Sequence, residues 1–136
     1  MSAPSAAVLL VEDNADDAYL LLTAFREFGF PRAIEVASDG EEALLRLEAE
    51  ASPGPKASPA LVILDLNLPK IGGMEVLRRI RAQARLKALP VLVLTTSTQE
   101  RERDEALRLG ASAFLNKPMR YEEYRGIAEQ AVRLLP

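Results

Sequence analysis

The chain has 136 residues, 49% hydrophobic and 27% charged, which is enough to bury the core of one domain without cross-links. Its net charge of −3, with both signs scattered along it, offers no basic footprint for nucleic acid, and no stretch approaches the roughly 20 apolar residues of a membrane span. Cysteine and histidine are both absent, which excludes disulfides, thiolate nucleophiles, serine-histidine mechanisms, most transition-metal sites and any phosphohistidine formed on the chain itself.

The chemistry that remains is that of carboxylates, hydroxyls, lysine, arginine and a hard cation held by oxygen. The N-terminal MSAPSAA has no basic region and only a short apolar run after it, so no signal peptide is read and a cytoplasmic protein is expected. Val8 to Val11 is a short apolar run of strand length that ends in Glu12-Asp13. Asn14 is the natural N-cap of the segment that follows, in which Ala18, Leu21, Leu22, Phe25 and Phe28 fall at helical spacing until Gly29 and Pro31 stop it. Ile34 to Ala37 is a second strand, broken by Ser38-Asp39-Gly40. A helix is expected over Glu41 to Glu50, with Ala43, Leu44 and Leu47 inward. Ala51 to Pro59, with three prolines and a glycine in ASPGPKASP, reads as a surface loop.

Leu61 to Leu64 is apolar without alternation, as in a strand buried on both faces, and Asp65 ends it. Asn67, Pro69 and Gly72-Gly73 turn the chain before a helix from Met74 to about Ala82, with Met74, Leu77 and Ile80 inward. Val91 to Leu94 is the fourth strand, closed by Thr95-Thr96-Ser97. A charge-dense helix from Glu100 to Leu109 follows, with Ala106, Leu107 and Leu109 inward, and Gly110 ends it. Ala113 to Asn116 is the fifth strand and leads into Lys117-Pro118. The last helix is expected from about Tyr121 to Leu135, with Tyr121, Tyr124, Ile127, Ala128, Ala131 and Leu134 on its inner face.

Five strand-helix units in succession predict an α/β chain of the flavodoxin-like, doubly wound kind: a five-stranded parallel sheet in the order 2-1-3-4-5 covered by five helices. The strands' carboxyl ends then share one edge, which collects Glu12, Asp13, Asp65, Thr95 and Lys117. Converging carboxylates repel, and a divalent cation with oxygen ligands, Mg²⁺ by preference, relieves that repulsion. Such a cation draws in a phosphoryl group. Thr95 and Lys117 can hold its other oxygens, and Asp65 can act as the nucleophile that forms an acyl phosphate. Pro118 constrains the loop that carries the lysine, and its peptide bond is one where a cis form is accessible.

These residues, in this order and at these spacings, make the chain resemble the receiver domain of two-component response regulators, from Val8 to the last helix. The resemblance implies that Asp13, Asp65 and the backbone carbonyl of Asn67 hold Mg²⁺, with Glu12 acting through water. It implies that Thr95 follows the phosphoryl group and that Phe114 turns inward with it, altering the face made by the fourth helix, fifth strand and fifth helix. Through that face a homodimer is expected. Gly72 stands where many receivers carry aspartate, and Thr96 is bulkier than the alanine or glycine common beside the switch threonine, which restricts access to Asp65. Ser97 and Asn67 occupy positions that tune acyl-phosphate hydrolysis in the family, and Phe114 replaces the usual tyrosine.

The expectation is a single receiver domain over 1–136, with a core over 7–135 and the loop at 51–59, that takes a phosphoryl group onto Asp65 from a partner sensor histidine kinase and releases it by hydrolysis. No effector domain is seen to follow, so output is expected to be a protein contact. The loop before the central strand, LDLNLPK and LTTS are similar to the small regulators that serve bacterial phytochrome kinases. A small hydrolase of the aspartyl-phosphate kind is the rival, but Asn67 stands where it needs a second carboxylate. A flavin-binding module is disfavoured because Glu12-Asp13 would repel the flavin's phosphate. By themselves Glu12-Asp13 read as a helix N-terminal charge pair and Thr95-Thr96-Ser97 as a cap, and Asp16 and Asp17 read as solvated charges, which the resemblance makes candidates for contact with the kinase because it implies that the first helix docks it.

Overall fold

The computed structural model describes residues 8–49 and 59–136. Five strands, β1 (Val8–Val11), β2 (Ile34–Ala37), β3 (Leu61–Leu64), β4 (Val91–Thr95) and β5 (Ala113–Asn116), form one sheet in the order β2-β1-β3-β4-β5, and every pairing is parallel. The helices are α1 (Ala15–Phe28), α2 (Gly40–Ala49), α3 (Gly73–Ala82), α4 (Glu100–Arg108) and α5 (Tyr124–Arg133). The doubly wound arrangement is therefore the one expected.

Strand pleating divides the core in two. On one face Leu9, Val11, Val62, Leu64, Val91 and Val93 pack with Ala43, Leu44 and Leu47 of α2, Val76, Leu77 and Ile80 of α3, and Ala106 of α4. On the other, Val8, Leu10, Leu61, Ile63, Leu92 and Leu94 pack with Leu21 and Phe25 of α1 and with Tyr124, Ile127 and Ala131 of α5. Both faces of β1, β3 and β4 are covered, which is why these strands are uninterrupted apolar runs. Asn14 caps α1 by accepting the Asp17 amide at 3.0 Å, and Gly29 ends it in the left-handed region at φ 85°. On α3, Arg81 donates to the carbonyls of Leu89 and Gly110 and so ties the loops that enter β4 and β5.

Several expectations are corrected. The last helix is not continuous from Tyr121: a 3₁₀ turn at Tyr121–Glu123 precedes α5. Its tighter winding takes Tyr121 off the inner face, where it is 39% exposed with its hydroxyl donating to Glu27 at 2.8 Å. Leu107 is also exposed, because α4 buries Ala106 alone of its residues and Leu107 is the next one around the helix. A 3₁₀ turn at Ala84–Leu86, not foreseen, buries Leu86. Strand β4 runs one residue further than expected and takes in Thr95. Of the Pro-rich stretch, 51–58 lies outside the described residues. No described peptide bond is cis, Lys117-Pro118 included.

One close approach aims the central acid. Gly73, the first residue of α3, donates its amide to the Leu66 carbonyl at 3.1 Å, and a Cβ on it would lie 2.2 Å from the Asp65 carbonyl oxygen. Neighbouring Gly72 has open space and φ −65°. Gly73→Ala is expected to cost about 1–3 kcal/mol in urea unfolding, as overpacking against backbone does. Gly72→Ala should stay within about 0.5 kcal/mol of the parent.

Candidate functional site

Because the strands are parallel and in register, their carboxyl ends place the chemistry-bearing residues together. The Asp65 amide donates to the Val11 carbonyl at 3.1 Å and the Glu12 amide to the Ala37 carbonyl at 2.9 Å, so backbone ladders set the positions of both acids. The Lys117 amide donates to the Thr95 carbonyl at 2.9 Å, which continues the β4–β5 ladder and fixes where the lysine starts.

The Lys117 ammonium lies 2.8 Å from one carboxylate oxygen on each of Glu12, Asp17 and Asp65. Its side chain is 7% exposed, and those of Glu12 and Asp65 are 4% and 5% exposed, so these charges meet largely out of water. The second Asp65 oxygen accepts the Asn67 amide at 3.1 Å, and the second Glu12 oxygen accepts the Asn14 amide at 3.1 Å. Burial pushes the Glu12 carboxyl up to about 7, and the nearby Asp65 charge adds to the rise, against the hydrogen bonds from Lys117 and Asn14. Burial works against the Lys117 charge, but its bonds to Asp17, Asp65 and Glu12 outweigh that and raise its pKa above the ordinary lysine value.

Glu12, Asp13 and Asp65 each turn an oxygen to within 4.8 Å of the other two. Asp13 is exposed and the others are buried, so the cluster opens to solvent on one side. Three converging carboxylate oxygens with an open side suit one hard divalent cation. Asn67 is exposed at the rim of this group.

The remaining expected residues line the neighbouring loop. Thr95 is buried, and its hydroxyl oxygen accepts the Ser97 amide at 3.3 Å. The Ser97 hydroxyl donates to Glu102 of α4, so it is committed to that helix, while Thr96 is exposed. Asn116 donates its side-chain amide to the carbonyls of Ser97 at 2.5 Å and Thr95 at 3.3 Å, stitching the loop after β4 to the end of β5. Phe114 is half-buried against the α4 side of the core, and with Ser97, Gln99, Arg103 and Asn116 it borders a cavity of about 140 Å³. Pro118 is half-buried beside the lysine.

Asp17 was expected to be a solvated charge, and that reading is corrected: it is half-buried and bonded to Lys117, whereas Asp16 is exposed. The usable signal was the cap. Asn14 as N-cap makes Asp17 the third residue of α1, on the turn nearest the sheet edge that already carries Glu12 and Asp13.

A sequence model of the response regulator receiver domain matches residues 8–129. The chain is 41% identical over 123 residues to the probable methanogenesis regulatory protein FilR2 of Methanothrix harundinacea, covering 90% of this chain and 79% of that protein. The crystal structure of the phosphorylated cyanobacterial phytochrome response regulator RcpA superposes with a TM-score of 0.84 at 31% identity, covering 98% of both chains. That of the Mn²⁺-bound form of the response regulator Rcp1, a protein of Synechocystis, gives 0.82 at 32% identity over 95% of this chain and 97% of the other.

Removing the ammonium leaves three carboxylates facing one another. Lys117→Met is expected to lower the unfolding free energy without divalent cation by about 3 kcal/mol. Added Mg²⁺ should restore part of the loss, measured by urea unfolding with and without the cation.

Proposed function

The chain belongs to the response regulator receiver domain family, and from that membership we propose that it is a single-domain phosphoacceptor that takes a phosphoryl group from a partner histidine kinase onto Asp65. The observation that carries the reading is the 2.8 Å contact between Asp65 and Lys117 at the edge where Glu12 and Asp13 converge.

An Asp65 carboxylate oxygen attacks the phosphorus of a phosphohistidine. The O–P bond forms as the P–N bond breaks, and the imidazole leaves with the electron pair. Glu12, Asp13, Asp65 and the Asn67 carbonyl would hold Mg²⁺, which supplies neutralisation of the phosphoryl charge. Lys117 donates to a phosphoryl oxygen, and the Thr95 hydroxyl donates to another once it turns from the Ser97 amide. Hydrolysis reverses the state: water attacks phosphorus and the Asp65 carboxylate is released.

The switch follows from the same contacts. Movement of Thr95 pulls on the loop that Ser97 and Asn116 hold, and the cavity beside Phe114 gives that ring room to turn inward. The face of α4, β5 and α5 is then the output surface, read by a second copy of the chain or by another protein. The likeness to the phytochrome response regulator RcpA and to the bacteriophytochrome response regulator AtBRR favours a bacteriophytochrome as the kinase, acting in the cytoplasm. Asn67 in place of a second carboxylate argues against turnover of small phosphate esters.

Incubation with phosphoramidate followed by intact mass tests the reading. A gain of one phosphoryl group, dependent on Mg²⁺ and labile to base, is expected for the parent, and none for Asp65→Asn. Uptake by the variant, or uptake indifferent to Mg²⁺, would overturn it.

A further inference from the structure

Lysine has three N–H donors and no acceptor, and in this structure Lys117 meets three acceptors, one oxygen each from Glu12, Asp17 and Asp65. Two of these acids, Glu12 and Asp65, belong to the group whose oxygens converge for a cation, and Asp17 does not. We propose that Asp17 is a positioning residue that competes with the phosphoryl group for the Lys117 ammonium and thereby slows phosphoryl transfer to Asp65. The inference rests on the reading of Asp65 as phosphoacceptor.

The competition follows from counting donors. For Lys117 to bond an incoming phosphoryl oxygen, a donor must leave one of its present partners. Asp65 carries the reacting group, and Glu12 has the cation to turn to. Of the three partners Asp17 alone neither carries the reacting group nor belongs to the converging oxygens, so its bond is the one given up. Asp17 also adds a further negative charge at the edge that an anionic donor must approach, so both effects have the same sign.

Water limits the strength of this hold, since the Asp17 side chain is 28% exposed while that of Lys117 is 7% exposed. Asp17 therefore acts as a reversible brake. A half-exposed ion pair of this kind corresponds to about a two- to fivefold change in rate. Asp16 provides an internal control: it is the adjacent residue in the same first helical turn, carries the same charge and is exposed. An ordinary stabilising charge at a helix N-terminus would make the two positions equivalent.

The test measures the rate of phosphoryl uptake from phosphoramidate at one saturating Mg²⁺ concentration. In that reaction the O–P bond to Asp65 forms as the P–N bond breaks, and the protonated nitrogen leaves as ammonia. Asp17→Asn is expected to react about two- to fivefold faster than the parent at low salt, with the gap narrowing as salt rises. Asp17→Glu should return towards the parent rate, and Asp16→Asn should match it. Asp17→Ala carries the same expectation if the Asn variant fails to fold, as judged by circular dichroism. A phosphorylated parent with Asp17→Asn no faster, or with Asp16→Asn accelerated equally, overturns the role of Asp17. If no protein in the set gains a phosphoryl group, the assignment of Asp65 falls, and this inference with it.

Discussion

Four carboxylates, those of Glu12, Asp13, Asp17 and Asp65, crowd one edge of the sheet, and the Lys117 ammonium reaches three of them at 2.8 Å. At 4–7% exposure Glu12, Asp65 and Lys117 sit where water screens poorly, so repulsion and attraction are both stronger than at an open surface. Burial costs each of these ions hydration, and the cost is offset only while every charge keeps its partner. The rise of Glu12 to about 7 is first a cost of burial, to which the neighbouring Asp65 charge adds a smaller part. A divalent cation among these oxygens would offset part of the negative charge of the group.

The rest of the molecule holds these charges at fixed separations. Parallel ladders set the starting points of Glu12, Asp65 and Lys117, because the backbone bonds to Ala37, Val11 and Thr95 leave each acid or base only its side chain to move. Gly73 lets α3 begin against the Asp65 backbone, where a Cβ would collide at 2.2 Å. The Asn14 cap turns α1 so that its third residue, Asp17, faces the edge while Asp16 faces solvent. Close packing on both faces of β1 and β3 resists displacement of the acids they carry.

Beyond the charges, the loop after β4 is tied at both ends. Ser97 bonds Thr95 on one side and Glu102 of α4 on the other, and Asn116 grips the Thr95 and Ser97 carbonyls from β5. Ser97 and Asn116 thus connect Thr95 to α4 and to the end of the strand bearing Phe114, which borders a cavity there. These contacts run towards the α4, β5 and α5 surface.

Much of this was legible in the chain alone because burial on both faces of a parallel sheet demands unbroken apolar runs, and each of those runs ends in a polar residue at the same edge. The alternation of those runs with helices was enough to place Glu12, Asp13, Asp65, Thr95 and Lys117 on one edge, and the strand order came with the flavodoxin-like fold class that the alternation indicated. Where the local pattern was weaker, tertiary contacts decided. Tyr121 had the spacing of an inner-face residue, but a 3₁₀ turn rotated it outward. Leu107 lost its place to Ala106, the one residue of α4 that the core takes in. Asp16 and Asp17 are both acids in the first turn of α1, and the Asn14 cap sets their places in that turn without saying which of them is paired. Only the approach of Lys117, a hundred residues away, separates the one that is paired from the one that is solvated. Sequence pattern reports how each segment meets the core, whereas an ion pair depends on where two segments meet each other.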